Sequence, residues 1–473
     1  MFVARKNELK SLRGTLKSDR AEFVAVYGRR RVGKTMLVRE AYADRLVFQH
    51  AGLASGSMKE QLAAFGVSLR GAGMHDAPTP KSWLEAFELL ERLIDSAGKG
   101  KKVVFLDELS WMDTPRSGFM MALEFFWNSW ASARNDVVLA TCASATSWML
   151  SKVIHNKGGL YNRLTLKINL QPFTLAECEM MTQAMGVRLN RHQIMEGYMI
   201  LGGVPHYWAQ LDRSKSLAQN IDALFFAKTP VLENEFDYLY ASIFRNPEDY
   251  LRIVSALGKR RAGMGRGEIA KAAHVADSGK LTRMLGELES CGFIRRYSQF
   301  ANKERGALYQ LIDNFTLFYY KFIEKGVTDE HFWEHQTNTP ARNAWCGLAF
   351  ERVCLEHVPQ IKHALGISGV LTETHTWSCA ADPEKGLTGS QIDLLIVRRD
   401  QVINVCEMKY SASRFTITKA GDQAIRDKLS DFVTATRTRY AMHTTYVTPY
   451  GLADNAYAGN VQSQVVADDL FAF

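Results

Sequence analysis

From Val26 to Thr35 the chain reads Val-Tyr-Gly-Arg-Arg-Arg-Val-Gly-Lys-Thr, which meets every fixed position of the phosphate-binding loop pattern. An apolar run precedes this stretch and an apolar-periodic helix follows it, so the region must be a strand, a tight turn and a helix N-terminus. Four fixed positions drawn from average residue usage coincide about once in tens of chains this long, before that context is required. Gly28 and Gly33 let the backbone turn tightly enough for successive N–H groups, through Arg29, Arg30, Arg31 and Val32, to point at one phosphate chain. Lys34 is placed to reach the β and γ phosphates, and Thr35 offers a hydroxyl to Mg²⁺. The expected ligands are a nucleoside triphosphate, ATP, and Mg²⁺.

At 473 residues the chain exceeds what one core serves, and 47% apolar content is ample for two to four domains. The formal charge of +8 leans toward an anionic partner, which nucleotide or nucleic acid would satisfy equally. Seven cysteines are odd in number and form no CxxC pair, the pattern of reduced core thiols in a cytoplasmic protein. No apolar run is long enough to span a bilayer, and the first residues lack the apolar core of a signal peptide, so no membrane partner is expected.

The apolar run Lys101 to Leu106 ends in Asp107 and Glu108 and reads as a buried parallel strand with its acidic end at the nucleotide. Asp107 would hold the Mg²⁺ shell and Glu108 would orient the attacking water. A further strand, Asp136 to Cys142, ends in Ser144, Thr146 and Ser147, where a hydroxyl can sense the γ-phosphate or simply cap a helix. Arg163 precedes another strand and is either a cation for charge developing on the phosphoryl group or a solvated surface arginine.

These motifs resemble a family. Phe2 to Leu9, the P-loop, Leu106 to Met112 and Ile200-Leu201-Gly202-Gly203-Val204-Pro205 look like the archaeal-type ATPases of the STAND class of AAA+-like proteins. The resemblance implies that the first motif lies beside the adenine and that Pro205, in a helical lid, contacts nucleotide. A helix-ending turn accounts equally for Gly203-Val204-Pro205. The chain departs from the family pattern in having Ala143-Ser144 for Gly-Ser and Asn162-Arg163 for Gly-Arg.

The expected architecture is α/β and multidomain. A P-loop parallel-sheet ATPase core occupies 1–170, a helical lid 171–244, a winged-helix domain 245–330 and a nuclease-like domain 331–473. In the third segment, helices around 268–273 and 281–288 are followed by two wing strands, with Ser278, Lys280 and Arg283 where base-reading residues would sit. Internal packing explains that segment as well, and Lys259-Arg260-Arg261 with Arg266 reads either as basic contact surface or as a solvated linker.

In the last segment, Ser390 to Val397 and Val402 to Lys409 read as a hairpin turning through Arg399-Asp400-Gln401, which places Asp393 across from Glu407. Lys409 falls on the same face as Glu407 by the strand period of two. Glu351 lies on a helix whose apolar face could bring it to the cluster. Two acids and a lysine can bind Mg²⁺, generate hydroxide and stabilise a pentavalent state. The set resembles the PD-(D/E)xK nuclease superfamily, with Ile392 where its name suggests proline. By that resemblance the domain is α/β and restriction-endonuclease-like, Asp393 and Glu407 are metal ligands, Lys409 orients water and Glu351 is an accessory acid.

Together these readings imply an ATPase whose nucleotide state controls a Mg²⁺-dependent nuclease acting on nucleic acid, DNA before RNA; a homo-oligomer is compatible with them. Two alternatives stand beside it: an ATP-driven scaffold with a silent, partner-gripping C-terminal domain, and an ATP-responsive winged-helix regulator.

Overall fold

Five apolar segments become the strands of one parallel sheet: β1 Glu22–Tyr27, β2 Leu46–Ala51, β3 Lys102–Asp107, β4 Val137–Ala143 and β5 Leu166–Asn169, in the order β2-β3-β4-β1-β5. This computed structural model describes residues 2–156, 158–244, 246–300 and 306–472. The chain divides into two compact units, Met1–Pro172 with Ala241–Arg245, and Phe173–Tyr240 with Asn246–Phe473. In the first unit the central strands β1, β3 and β4 are buried almost throughout because both sheet faces are covered. Val24, Val26, Val103, Phe105, Val138 and Ala140 pack into one cluster, and their neighbours Phe23, Ala25, Val104, Leu106 and Leu139 into another. Each large side chain so buried contributes about 1.5–3 kcal/mol.

The turn after β1 is set by two glycines. Gly28 has φ +144°, and a Cβ there would lie 2.3 Å from the Leu170 carbonyl oxygen. Gly33 has φ +93° and precedes the helix Lys34–Tyr42. Both conformations are ones that side chains resist.

The second unit begins with helices Leu175–Met185, Arg191–Leu201 and Leu217–Phe225. Each starts at a reciprocal cap, Thr174 with Glu177, Asn190 with Gln193, and Ser216 with Gln219. A small antiparallel sheet follows, formed by β6 Met264–Gly265, β7 Ile294–Tyr297 and β8 Leu308–Leu311 in the order β6-β8-β7. Helices Arg266–Ala272 and Gly279–Ser290 accompany it, the latter burying Leu281, Met284, Leu285 and Leu288 along one stripe.

The C-terminal sheet contains β9 Thr372–Cys379, β10 Ser390–Arg398, β11 Val402–Met408, β12 Ala441–Thr448 and β13 Ser463–Val466, in the order β13-β12-β11-β10-β9. The first three strands run antiparallel and the last two join parallel to β11. A crossover helix, Lys419–Thr436, connects β11 to β12, and a long helix, Pro340–Glu356, precedes the sheet. The β10 and β11 register is the expected one, Val397 opposite Ile403 through Leu394 opposite Cys406. One irregularity is additional: the β9 pairing shifts between Ile392 and Leu395. A bulge of this kind lets Ile392, Leu394 and Leu395 all bury while Asp393 stays partly exposed.

Asp431 ties the crossover helix to the start of β10. Only 1% exposed, it accepts hydrogen bonds from the Thr388 N–H at 3.0 Å, the Thr388 hydroxyl at 2.9 Å and the Ser390 hydroxyl at 2.5 Å. Burial opposes its ionisation, but those donors outweigh it and hold the carboxyl below its usual range. Its stabilisation is therefore present above its unfolded pKa of about 4 and is lost as pH falls through the lower folded value. Asp431→Ala should cost about 3 kcal/mol in denaturant unfolding at neutral pH, and Asp431→Asn should flatten the acid limb of a Tm against pH curve.

Candidate functional site

The strand order explains the geometry at the P-loop. Because β4 lies between β3 and β1, the residue just beyond β4 falls between the groups that follow the other two strands. That residue is Ser144. Its hydroxyl accepts from Lys34 Nζ at 3.0 Å and donates to Glu108 Oε1 at 2.5 Å, while its N–H donates to Glu108 Oε2 at 3.0 Å. Lys34 also donates to the carbonyls of Gly28 and Arg29, each at 2.9 Å. The Thr35 hydroxyl donates to Asp107 Oδ2 at 2.7 Å.

Asp107 is 5% exposed, and burial pushes its carboxyl above the usual range against the Thr35 hydroxyl, the Glu108 N–H and the Lys34 ammonium. Glu108 has φ 48°, a left-handed conformation that costs a non-glycine residue about 1–3 kcal/mol and is retained where geometry demands it. Thr35 and Asp107 together present hard oxygen donors, the set that suits Mg²⁺. Arg29 is buried, Arg30 and Arg31 are half-buried, and Arg31 also takes a left-handed φ of 69°.

Helix capping does not describe the residues after β4. The short helix Thr146–Met149 starts from Ala145 without a side-chain cap, Ser144 is committed to Lys34 and Glu108, and the buried Thr146 hydroxyl has no hydrogen-bond partner. Arg163 lies exposed in the turn before β5 and is not among the side chains that meet at the P-loop. Its neighbour Asn162 has φ 54°. Asparagine tolerates that conformation better than other non-glycine residues, which accounts for Asn-Arg where the family pattern has Gly-Arg.

Gly202 to Pro205 is bound up with packing inside the second unit. The Gly203 carbonyl accepts from the Phe173 N–H at 2.6 Å, the Gly202 carbonyl accepts from Trp208 Nε1 at 2.7 Å, and Pro205 opens the helix Pro205–Trp208. Ser278, Lys280 and Arg283 are exposed; Lys280 pairs with Asp249 at 2.6 Å and Arg283 with Glu287 at 4.0 Å.

In the C-terminal half, Glu351, Asp393, Glu407 and Lys409 line one cavity of about 430 Å³. Two cations that the sequence reading did not assign to the cluster, Arg261 and Lys428, line it as well. Glu407 is held between Lys409 Nζ at 2.7 Å and Lys428 Nζ at 2.8 Å. Burial opposes its ionisation, but the two ammoniums outweigh burial and hold the carboxyl below its usual range. Glu351, 4% exposed, pairs with the Arg261 guanidinium. Its carboxyl is pushed up by burial and by nearby Asp393, more than Arg261 draws it down. Asp393 accepts from Gln391 Nε2 at 2.6 Å.

Among the described residues, the triad of His, Cys, Asp or Glu whose ligand atoms all lie within 4.8 Å of one another is Asp222, His331 and Glu334. The carboxylates of Glu351, Asp393 and Glu407 share a cavity without converging that closely; Arg261 pairs with the first and two lysines with the last. Lys428 left a signal in the sequence: with Ile425 and Phe432 it stands at i, i+3 and i+7, on the stripe that faces the sheet. Arg261 left none beyond its place in a basic run. It is no solvated linker residue, because its guanidinium reaches Glu351.

No helix among the described residues is long and apolar enough to cross a membrane. Comparison with known proteins matches residues 2–211 to the family described as an ATPase domain predominantly from Archaea. An uncharacterized protein of Methanocaldococcus jannaschii, MJECL04, is 24% identical over 378 residues, covering 76% of this chain and 78% of that protein. An uncharacterized ATP-binding protein of the same organism, MJ0423, is 50% identical over 47 residues, 10% of this chain and 80% of that protein. Among solved structures, the Walker-type ATPase PABY2304 of Pyrococcus abyssi is 15% identical with a TM-score of 0.48, covering 68% of this chain and 96% of that one. The P-loop on its parallel sheet, the Asp107-Glu108 pair closing β3 and the family match coincide: residues 2–211 match an ATPase domain of the archaeal type.

Proposed function

We propose that this chain couples ATP hydrolysis in its P-loop unit to a Mg²⁺-dependent nuclease-like site in its C-terminal sheet, acting on DNA or RNA. One observation carries the reading: a second phosphate-chemistry constellation, Glu351, Asp393, Glu407 and Lys409, shares one cavity in the ATPase chain. The hairpin supports it, carrying Asp393 on β10 and Glu407 on β11.

At the P-loop, Thr35 and Asp107 would hold Mg²⁺, which when bound neutralises phosphate charge. Lys34 binds the β and γ phosphates, and Glu108 orients and polarises the attacking water. Ser144 links these two residues, so a change at the γ-phosphate felt by Lys34 is transmitted to the Glu108 carboxylate through one hydroxyl. Pro205 and the helices around it act as the nucleotide-responsive lid, the small three-stranded module is winged-helix-like, and Arg163 is the candidate cation for charge developing on the transferred phosphoryl group.

At the C-terminal site, Asp393 and Glu407 would hold Mg²⁺, which supplies an activated water and charge neutralisation at a phosphodiester. Lys409 orients the attacking water and Glu351 assists as a second acid. Plasmid and single-stranded substrates incubated with Mn²⁺ or Mg²⁺ and ATP should be cut, and Asp393→Ala and Lys409→Ala should each lower cutting at least about a hundredfold. Equal cutting by all three proteins removes the nuclease assignment.

A second reading, a catalytically silent nucleic-acid clamp, is favoured by the two lysines that neutralise Glu407. It predicts that the intact protein retains DNA on a gel without cutting it in either metal.

A further inference from the structure

We infer that Arg261 is the phosphate-binding arm of the C-terminal site, supplied by a different structural module, and that nucleic-acid backbone phosphate takes it from Glu351. The inference rests on the nuclease-like reading above and specifies how substrate is held there.

Arg261 lies between the helix Pro247–Gly258 and β6, about ninety residues before Glu351, yet its guanidinium pairs with that carboxylate inside the cavity lined by Asp393, Glu407 and Lys409. Its backbone is fixed in place. The Arg261 carbonyl accepts from Gln310 Nε2 at 2.8 Å, on β8, and from Arg352 Nη2 at 2.9 Å, on the helix Pro340–Glu356. The side chain therefore projects from an anchored backbone into the site, and 57% of it remains exposed to an incoming ligand.

Two further arginines stand behind it. Arg295 on β7 is half-buried, and burial followed by the Arg352 charge pulls it down to about 10; Arg352 is buried, and burial, with Arg261 adding to it, pulls it below its usual range. Arg352 is 5% exposed, and its Nε has no hydrogen-bond partner. Buried like charges beside an unpartnered donor carry a desolvation cost that an anion offsets. The nearby acids are Glu351 and Asp393, and burial keeps Glu351 poised toward its neutral form.

A guanidinium fork matches phosphate oxygens bidentately, and a phosphodiester stays charged where burial and Asp393 disfavour the charged form of Glu351. When a backbone phosphate enters, Arg261 transfers to it and Glu351 is left free, either to take a proton or to face the reacting centre. No covalent bond changes in this exchange. The module carrying β6 and β8 thereby becomes part of the substrate site, and displacing it withdraws the phosphate ligand.

The test measures binding of a fluorescent single-stranded oligonucleotide, as DNA and as RNA, to the full-length protein in EDTA over a range of salt, alongside cutting in Mn²⁺. Inorganic phosphate serves as competitor. Arg261→Ala should weaken oligonucleotide binding about tenfold and make the slope of log affinity against log salt shallower by about 0.7, the loss of one single-strand phosphate contact. Arg261→Lys should recover the salt slope but only part of the affinity. Glu351→Gln should bind more tightly than the parent, because the competing carboxylate is gone, while cutting more slowly.

Parent-like binding and salt slope in Arg261→Ala overturn the inference, and parental cutting in the same samples shows the nuclease-like reading to survive it. Weaker binding by Glu351→Gln also overturns it. If the parent protein neither binds nor cuts either oligonucleotide, both fail together. Competition by millimolar inorganic phosphate as strong as by oligonucleotide reassigns the arm to a free anion and overturns the nucleic-acid form of the inference.

Discussion

Replacing Lys34 with alanine is expected to lower ATP turnover by at least about a hundredfold, the scale seen when one preorganised electrostatic donor is removed from a phosphoryl or acyl transfer site. Lys34 is 5% exposed, and its ammonium meets three oxygens, the carbonyls of Gly28 and Arg29 and the hydroxyl of Ser144. A nucleotide's phosphates compete for that same ammonium, and alanine leaves nothing at this position to meet them. Glu108→Gln provides the contrast. It keeps the shape of the side chain and one acceptor for Ser144, so ATP binding should persist while hydrolysis falls by a similar factor. Phosphate release and equilibrium binding of a fluorescent ATP analogue, measured on both variants, separate the two roles. Parental turnover in Lys34→Ala would remove the catalytic assignment of the P-loop.

Gly203→Ala should destabilise the second unit by about 3 kcal/mol or more, or prevent its folding. A Cβ on Gly203 would lie 1.9 Å from the Phe173 carbonyl oxygen and 2.8 Å from both its carbonyl carbon and its nitrogen. These are backbone atoms, which cannot rotate aside, and the Gly203 carbonyl is already held by the Phe173 N–H. Overpacking a core costs about 1–3 kcal/mol when side chains can yield, and here they cannot. Pro205→Ala should be far milder, because proline at the first helical turn contributes mainly by fixing its own φ. Denaturant unfolding followed by tryptophan fluorescence, with Trp208 as a reporter in this segment, checks both. A stable Gly203→Ala would show that the close approach relaxes at little cost.

The two variants also separate what the Gly-Gly-Val-Pro motif does. Its sequence is explained equally by a nucleotide contact and by a turn; the packing of Gly203 against Phe173 shows that this glycine is required by the fold itself. A nucleotide effect confined to Pro205 would leave that structural requirement untouched.

Much of this protein follows from local pattern. The P-loop turn depends on glycines at positive φ, and those residues are visible in the chain. β3 and β4 read as buried because of their apolar runs, Val103 to Leu106 and Val137 to Ala140. The β10 and β11 hairpin was legible down to its register, because a three-residue loop and a period of two leave one alignment. Reciprocal helix caps at Thr174, Asn190 and Ser216 involve partners three residues away, within reach of inspection.

What stayed hidden involved choices between partners distant in the chain. Ser144 could cap a helix or join the nucleotide site, and only the insertion of β4 between β1 and β3 decides it, by bringing positions 34, 108 and 144 within hydrogen-bond reach. Arg261 read as a basic run, because nothing near it in sequence announces Glu351. Asp393 was expected on a regular strand, and the shift in its pairing with β9 depends on a neighbour that the hairpin itself does not contain.

The amino-acid order alone thus marked β1, β3, β4 and the β10–β11 hairpin as strands and the glycine turn before the helix Lys34–Tyr42, since these depend on stereochemistry within a few residues. The tertiary structure decided which charges neutralise which: Lys428 and Lys409 around Glu407, Arg261 on Glu351, Ser144 between Lys34 and Glu108. Electrostatic pairing acts through space at a few ångströms and carries no periodicity along the chain, so it is written only when the elements pack.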